Sequence, residues 1–195
     1  LLGLPPDPAR VDAFVKDPSS NAYSKLVDEL LKSRHFGERW GRHWLDMARY
    51  ADPDGYEKDK ARPNAWRYRD WVFGALNRYL PYNQFVKQQL ANDLIDGSHP
   101  QDNAALGFLG LSPTYWKELQ LPPEIIKTTV ADEWEERMDA VGRTFLGLTL
   151  ACARCHDHKF EPVTQADYYA IAGVFASVRI ADRPMVADKL WTPVV

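Results

Sequence analysis

Only two cysteines occur among the 195 residues, so no disulfide framework can be built. No apolar run approaches the roughly 20 residues that span a bilayer. The first residues, LLGLPPDPAR, lack the basic start and long apolar stretch of a signal peptide. They read as the middle of a longer polypeptide, expected to follow a leader or an upstream domain. Positive charge is also short: 24 Lys and Arg stand against 27 Asp and Glu, a formal charge of −3. A general polyanion binder normally carries a basic excess, so nucleic acid is not an expected partner. Internal repeats and low-complexity tracts are missing as well.

What is present suits one globular domain, or one with a small appendage, long enough to bury a core. Apolar residues make up 45% and charged residues 26%. Aromatics are frequent, with seven Trp and nine Tyr. Such rings pack around a large flat cofactor or simply build an aromatic helical core.

Helical periodicity runs through most of the chain and predicts an all-α fold of about six to seven helices with long loops. Helices are expected over 8–16, 20–33 and 37–51, the last with Trp40, His43, Trp44 and Met47 on its apolar side. A loop over 52–64 follows, broken by Pro53, Gly55 and Pro63. Further helices are expected over 65–79, from Pro81 to Gly97, over 129–149 and over 165–177. Thr164 and Asp167 form an acidic variant of the capping box. Residues 97–124 read as a long connection. The domain is taken as 1–178, and 179–195 as a weakly patterned tail or linker to another domain.

The two cysteines sit three apart, in Cys152-Ala153-Arg154-Cys155-His156. This C-x-x-C-H run is the signature of c-type haem attachment. Two thiols one helical turn apart each add to a vinyl group of one porphyrin, and the imidazole that follows becomes the axial ligand of the iron. A structural zinc needs four ligands and has no second cysteine pair here, so His158 and a distant His or carboxylate would have to complete it. A redox dithiol of the thioredoxin kind wants a βαβ setting that the helical pattern does not offer. One haem c is therefore the expected cofactor, with His156 on the metal.

Three segments resemble a known family: GERWGRHWLDMARYAD at 37–52, NAWRYRDWVFGALN at 64–77 and GLTLACARCHDHKFEPVTQADYY at 147–169. The opening LGLPPDPARVDAF is similar to the start of the same domain. The family is an uncharacterised one abundant in planctomycete bacteria, and the resemblance covers residues 2 to about 177. Its members usually sit beside a planctomycete-type cytochrome c domain and a second domain of unknown function, both absent from this chain. The resemblance implies a haem-associated, extracytoplasmic (periplasmic or cell-surface) domain of a larger chain or complex, and fixes no activity.

The other face of the iron is open at this stage. His43 is the candidate second metal ligand, with Met47 one turn away as an alternative that raises the potential. His158 lies too near His156 to reach the opposite face; it suits a propionate contact, a supporting hydrogen bond or acid–base work. Tyr56 joins His43 and His158 as a candidate catalytic group if the distal side is open. Arg67 and Trp66, in a stretch with Arg62, Arg69 and Trp71, are candidate haem-binding residues through propionate contacts and ring packing. The acidic turn Asp52–Asp59 resembles a fragment of a Ca²⁺ loop without its full spacing. Electron transfer to a redox partner protein or another haem domain is the leading expectation. A haem enzyme of peroxidase or oxidoreductase type, acting on a small or carbohydrate-derived substrate, is the alternative. A haem- or metal-stapled interaction module is the third reading.

Overall fold

The computed structural model describes residues 1–54, 59–112, 121–178, 180–182 and 185–186. Among them the chain forms eight α-helices, joined in places by short 3₁₀ turns. The β pairing they record is an isolated bridge between Pro53 and Ala61. The all-α expectation holds.

Local sequence explains the helix limits. Helix α1 (Pro8–Lys16) starts on the side chain of Asp7, which accepts from the Ala9 amide at 2.7 Å, and has proline in its first turn. Helix α2 (Ala22–Leu31) follows, and α3 (Arg34–Met47) begins three residues earlier than its apolar pattern suggests because Ser33 caps it. Helices α4 (Trp66–Asn77) and α5 (Tyr82–Ala91) agree with the sequence, except that α5 gives way to a 3₁₀ turn at Asn92–Leu94 well before Gly97. The expected connection over 97–124 contains a 3₁₀ segment, Pro100–Leu106, and a one-turn helix α6, Gly107–Gly110. Helix α7 (Pro123–Val141) starts earlier than expected, on two prolines, and ends in a π turn over Gly142–Leu146. Helix α8 (Gln165–Ala176) carries the predicted capping box: Thr164 and Asp167 bond each other's backbone reciprocally.

Two apolar cores result. The first gathers Leu45, Tyr68, Trp71, Val72, Phe85 and Phe108 from α3 to α6. The second gathers Met138, Leu150, Ala153, Val163, Tyr168 and Phe175 from α7, α8 and the segment between them. Helix α7 serves both: Ala140 belongs to the first core and Met138 to the second, while Val141 packs against each.

The buried face of α3 differs from the sequence expectation. Trp40, His43 and Met47 are exposed, and Gly37, Gly41, Leu45 and Ala48 face inward. A side-chain carbon at Gly41 would lie 2.4 Å from the Phe73 ring, and one at Gly37 would lie 2.4 Å from the Phe73 carbonyl. Glycine thus lets the α3 and α4 backbones approach more closely than large side chains would allow, a contact that hydrophobicity patterns do not register. Trp44 is half-buried and turns its indole N–H inward, donating to Gln89 Oε1 at 2.7 Å. Gln89 is fully buried, and its Oε1 also accepts from the Tyr68 hydroxyl at 2.8 Å. Burial pushes the Tyr68 phenol far above its ordinary value, so the hydroxyl stays a donor. On α7 the carboxylate-rich side is not simply solvated: Glu133, Arg137 and Asp139 are all buried.

Candidate functional site

The Cys152–His156 segment lies between α7 and α8, on the second core. Its path is set by the turn before it. After the π turn, Gly147 takes φ +67°, a left-handed conformation that suits glycine, and the Leu148 amide returns to the Gly142 carbonyl at 3.0 Å. Leu150 then drops into the core with 2% of its surface exposed, and Ala151–Arg154 forms a 3₁₀ turn. Ala153 points inward and is fully buried, which turns its neighbours outward. Cys152, Cys155 and His156 are all exposed, and both thiols are free.

The turn is clamped from both sides. The Arg154 guanidinium donates to Asp132 at 3.2 Å and Glu135 at 2.7 Å on α7, contacts that raise its already high pKa further. The Arg154 carbonyl accepts from Gln165 Nε2 and from the Tyr169 hydroxyl on α8. Glu135 also accepts from the Tyr168 hydroxyl at 3.0 Å. Burial and this carboxylate push the Tyr168 phenol up to about 12.

Beyond the turn, the His156 Nδ1 lies 2.8 Å from the Asp157 carbonyl. A carbonyl only accepts, so Nδ1 carries a proton and, in the neutral ring, Nε2 is the nitrogen with the lone pair. That is the form a metal-ligating imidazole needs, and a backbone carbonyl is a usual partner for its other nitrogen. His158 has the opposite arrangement. Its Nδ1 accepts from the Phe160 amide at 3.1 Å and the Glu161 amide at 2.8 Å. Its Nε2–H therefore points to Thr149 Oγ1, 3.2 Å away, and that hydroxyl donates to Glu161 Oε1. Both nitrogens of His158 are occupied.

The remaining candidates lie elsewhere. His43 is on the outer side of α3, an element of the first core, with its ring 5.7 Å from Trp40. Exposed Met47 lies one turn on, and its carbonyl accepts from Thr144 Oγ1 in the π turn that leads to the cysteines. Arg67 stacks its guanidinium 4.6 Å from the Trp66 ring centroid and donates to Met185 Sδ at 3.5 Å. It borders a groove of about 1000 Å³ between α5, α6 and the start of the tail, lined by Leu90, Asn103 and Ile180 among others. Sequence reasoning had no signal for this groove, whose walls come from distant segments.

Tyr56 and Glu57 lie outside the described residues. In the rest of the acidic turn, Asp54 accepts from Arg62 Nε at 2.5 Å and Asp52 accepts from the Tyr50 hydroxyl at 2.5 Å. Among the described residues, no group of three or more His, Cys, Asp or Glu side chains converges on a common point as a metal site would.

Residues 1–180 match the PSCyt2 family, described as a protein of unknown function (DUF1549). The chain belongs to that family. The match takes in α1 to α8 and the whole Cys152–His156 segment. No curated protein and no solved structure matched the chain.

Proposed function

We propose that this PSCyt2 domain binds one haem c and transfers electrons within an extracytoplasmic complex. The observation that carries the reading is the exposed turn that presents two free thiols beside an imidazole held through its Nδ1 by the Asp157 carbonyl. In attachment, each thiol would add across one vinyl group, its sulfur bonding one vinyl carbon and its proton going to the other, with no external oxidant or reductant consumed. Cys152 and Cys155 would hold the group covalently, and His156 would ligate its iron through Nε2. When bound, haem supplies a one-electron Fe(III)/Fe(II) couple. The protein's share would be to fix the imidazole by its Nδ1–H donating to the Asp157 carbonyl and to leave the attachment face open to a partner.

Exposure of the attachment residues favours electron exchange with a docked redox protein or haem domain over chemistry in an enclosed pocket. His158 engages both nitrogens within its own segment, which supports a positioning role over acid–base work. His43 is proposed as the second axial ligand, with Met47 in reserve; both are exposed on the side of α3 whose end touches the π turn. Extracytoplasmic location follows from the haem c reading, because thioether attachment is carried out on that side of the membrane. No helix among the described residues is long and apolar enough to cross a membrane.

The test is a pyridine haemochrome assay on protein matured with the haem-attachment machinery, with visible spectra of both redox states. The expected result is one covalent haem per chain, lost in C152A/C155A, with a six-coordinate low-spin spectrum that His43→Ala converts to high spin. Absence of covalent haem sinks the reading. Ligand-accessible, high-spin iron in the unaltered protein shifts it to a haem enzyme.

A further inference from the structure

The Asp157–His158 peptide unit does two things at once. Its carbonyl accepts from His156 Nδ1 at 2.8 Å, and its N–H donates to the Val163 carbonyl at 2.9 Å. The two groups of a trans peptide point in opposite directions within one plane, so fixing the N–H aims the carbonyl. Val163 is a good anchor, being buried in the second core directly before the Thr164 cap of α8. The Asp157 side chain adds a third tie by accepting from the Gln165 amide at 2.8 Å.

The loop from residue 158 to 163 is closed by the His158 amide on the Val163 carbonyl and the Val163 amide on the Glu161 carbonyl, and the His158 ring adds the side-chain ties. It collects the Phe160 and Glu161 amides on Nδ1 and reaches Thr149 through Nε2, tying the loop to the strand of chain that enters the motif. Without this acceptor the Phe160 and Glu161 amides lose the side-chain atom they share. Phe160, 83% exposed, brings little apolar burial to hold the loop in place of those bonds.

The geometry points to His158 as a positioning residue that holds the Asp157 carbonyl on His156 and so fixes which nitrogen of His156 is free for the iron. This rests on the haem c reading for its purpose, but the tautomer it enforces is a property of the protein alone. An imidazole whose Nδ1–H is well bonded is a stronger donor through Nε2, which favours Fe(III) and lowers the potential.

Two measurements test it. Nitrogen-15 NMR of the unloaded, unaltered chain is expected to show His156 as the Nδ1–H form and His158 as the Nε2–H form. In His158→Ala, exchange of the Phe160 and Glu161 amides is expected to quicken by about tenfold or more, and the His156 preference to be lost. His158→Asn, whose side-chain oxygen can accept in place of Nδ1, is expected to restore both. On haem-loaded protein the alanine variant should keep its covalent haem but show a weaker iron–histidine stretch and a raised midpoint potential, again recovered by asparagine. A His156 carrying its proton on Nε2 in the unaltered chain overturns the proposal whether or not any variant folds. So does an alanine variant that leaves the tautomer unchanged. Failure to find covalent haem removes the electron-transfer reading, while the tautomer measurements still decide the role of His158.

Discussion

At the residue scale, Arg49 shows how a costly backbone is retained for a contact. It follows the end of α3 with φ +56°, a left-handed conformation that costs a residue with a Cβ about 1 kcal/mol or more. There the Tyr50 amide returns to the Leu45 carbonyl at 2.9 Å, closing the helix. The guanidinium is thereby delivered to Glu136 and Asp139 on α7, binding the first core to the bridging helix. Arg49→Ala is expected to lose about 1–3 kcal/mol, since it removes the ion pairs and keeps the strain. Arg49→Gly should be about 1 kcal/mol more stable than the alanine variant, because glycine accepts the positive φ. Urea unfolding of the two variants side by side measures the difference; equal midpoints would show that the strain is not there.

At the element scale, the junction of α7 with α8 is where pH reaches the site. Tyr168 is raised from 10 to about 12 by burial and by Glu135. A folded-state value above the unfolded one favours the folded chain while the phenol is protonated. That contribution is whole below pH 10 and disappears as pH rises through about 12. It amounts to at most about 2–3 kcal/mol. Tyr168→Phe is expected to flatten this alkaline loss of stability, read as the thermal midpoint between pH 9 and pH 12, by roughly that amount at most. Its midpoint at neutral pH should fall only slightly, since one hydrogen bond is worth about 1 kcal/mol. Tyr50 is also raised to about 12, by burial and Asp52, so part of the slope should survive in the variant.

At the scale of the whole molecule, stability is unevenly spread. Neither α1 nor α2 contributes a buried residue, whereas α3 to α8 supply both cores. The first two helices are held by local contacts such as the Arg10–Glu29 ion pair and by a few ties to the body, among them the Tyr79 hydroxyl on the Leu31 carbonyl at 2.8 Å. Exposed pairs of this kind add little. Amide hydrogen exchange is therefore expected to be faster through α1 and α2 than through α4 and α7, by orders of magnitude at the slowest core sites. Uniform protection across all helices would contradict this division. The two cores share α7, so α3–α8 should unfold in one transition, with the Cys152–His156 turn as stable as the core beneath it.

How much of this was legible beforehand follows from the range of the interactions involved. Helix content, the capping box at Thr164 and Asp167, and the Cys-x-x-Cys-His run are short-range features, and each was readable because its parts lie within a turn or two of one another. The glycine-lined contact between α3 and α4 was not readable, because large residues such as Trp40 and Met47 mark a core face in a periodicity argument whatever they actually meet. The buried acceptor Gln89 was missed for the same reason: its partners, Trp44 and Tyr68, come from other helices. Sequence alone determined that two thiols and an imidazole stand together at residues 152–156. Only the tertiary structure decided that they face outward, that Arg154 pins them between α7 and α8, and that the Asp157 carbonyl and the Val163 anchor leave the Nε2 of His156 free. The physical reason is that spacing along the chain sets which groups are neighbours, while the direction in which each points is fixed by hydrogen bonds to residues that only folding brings near.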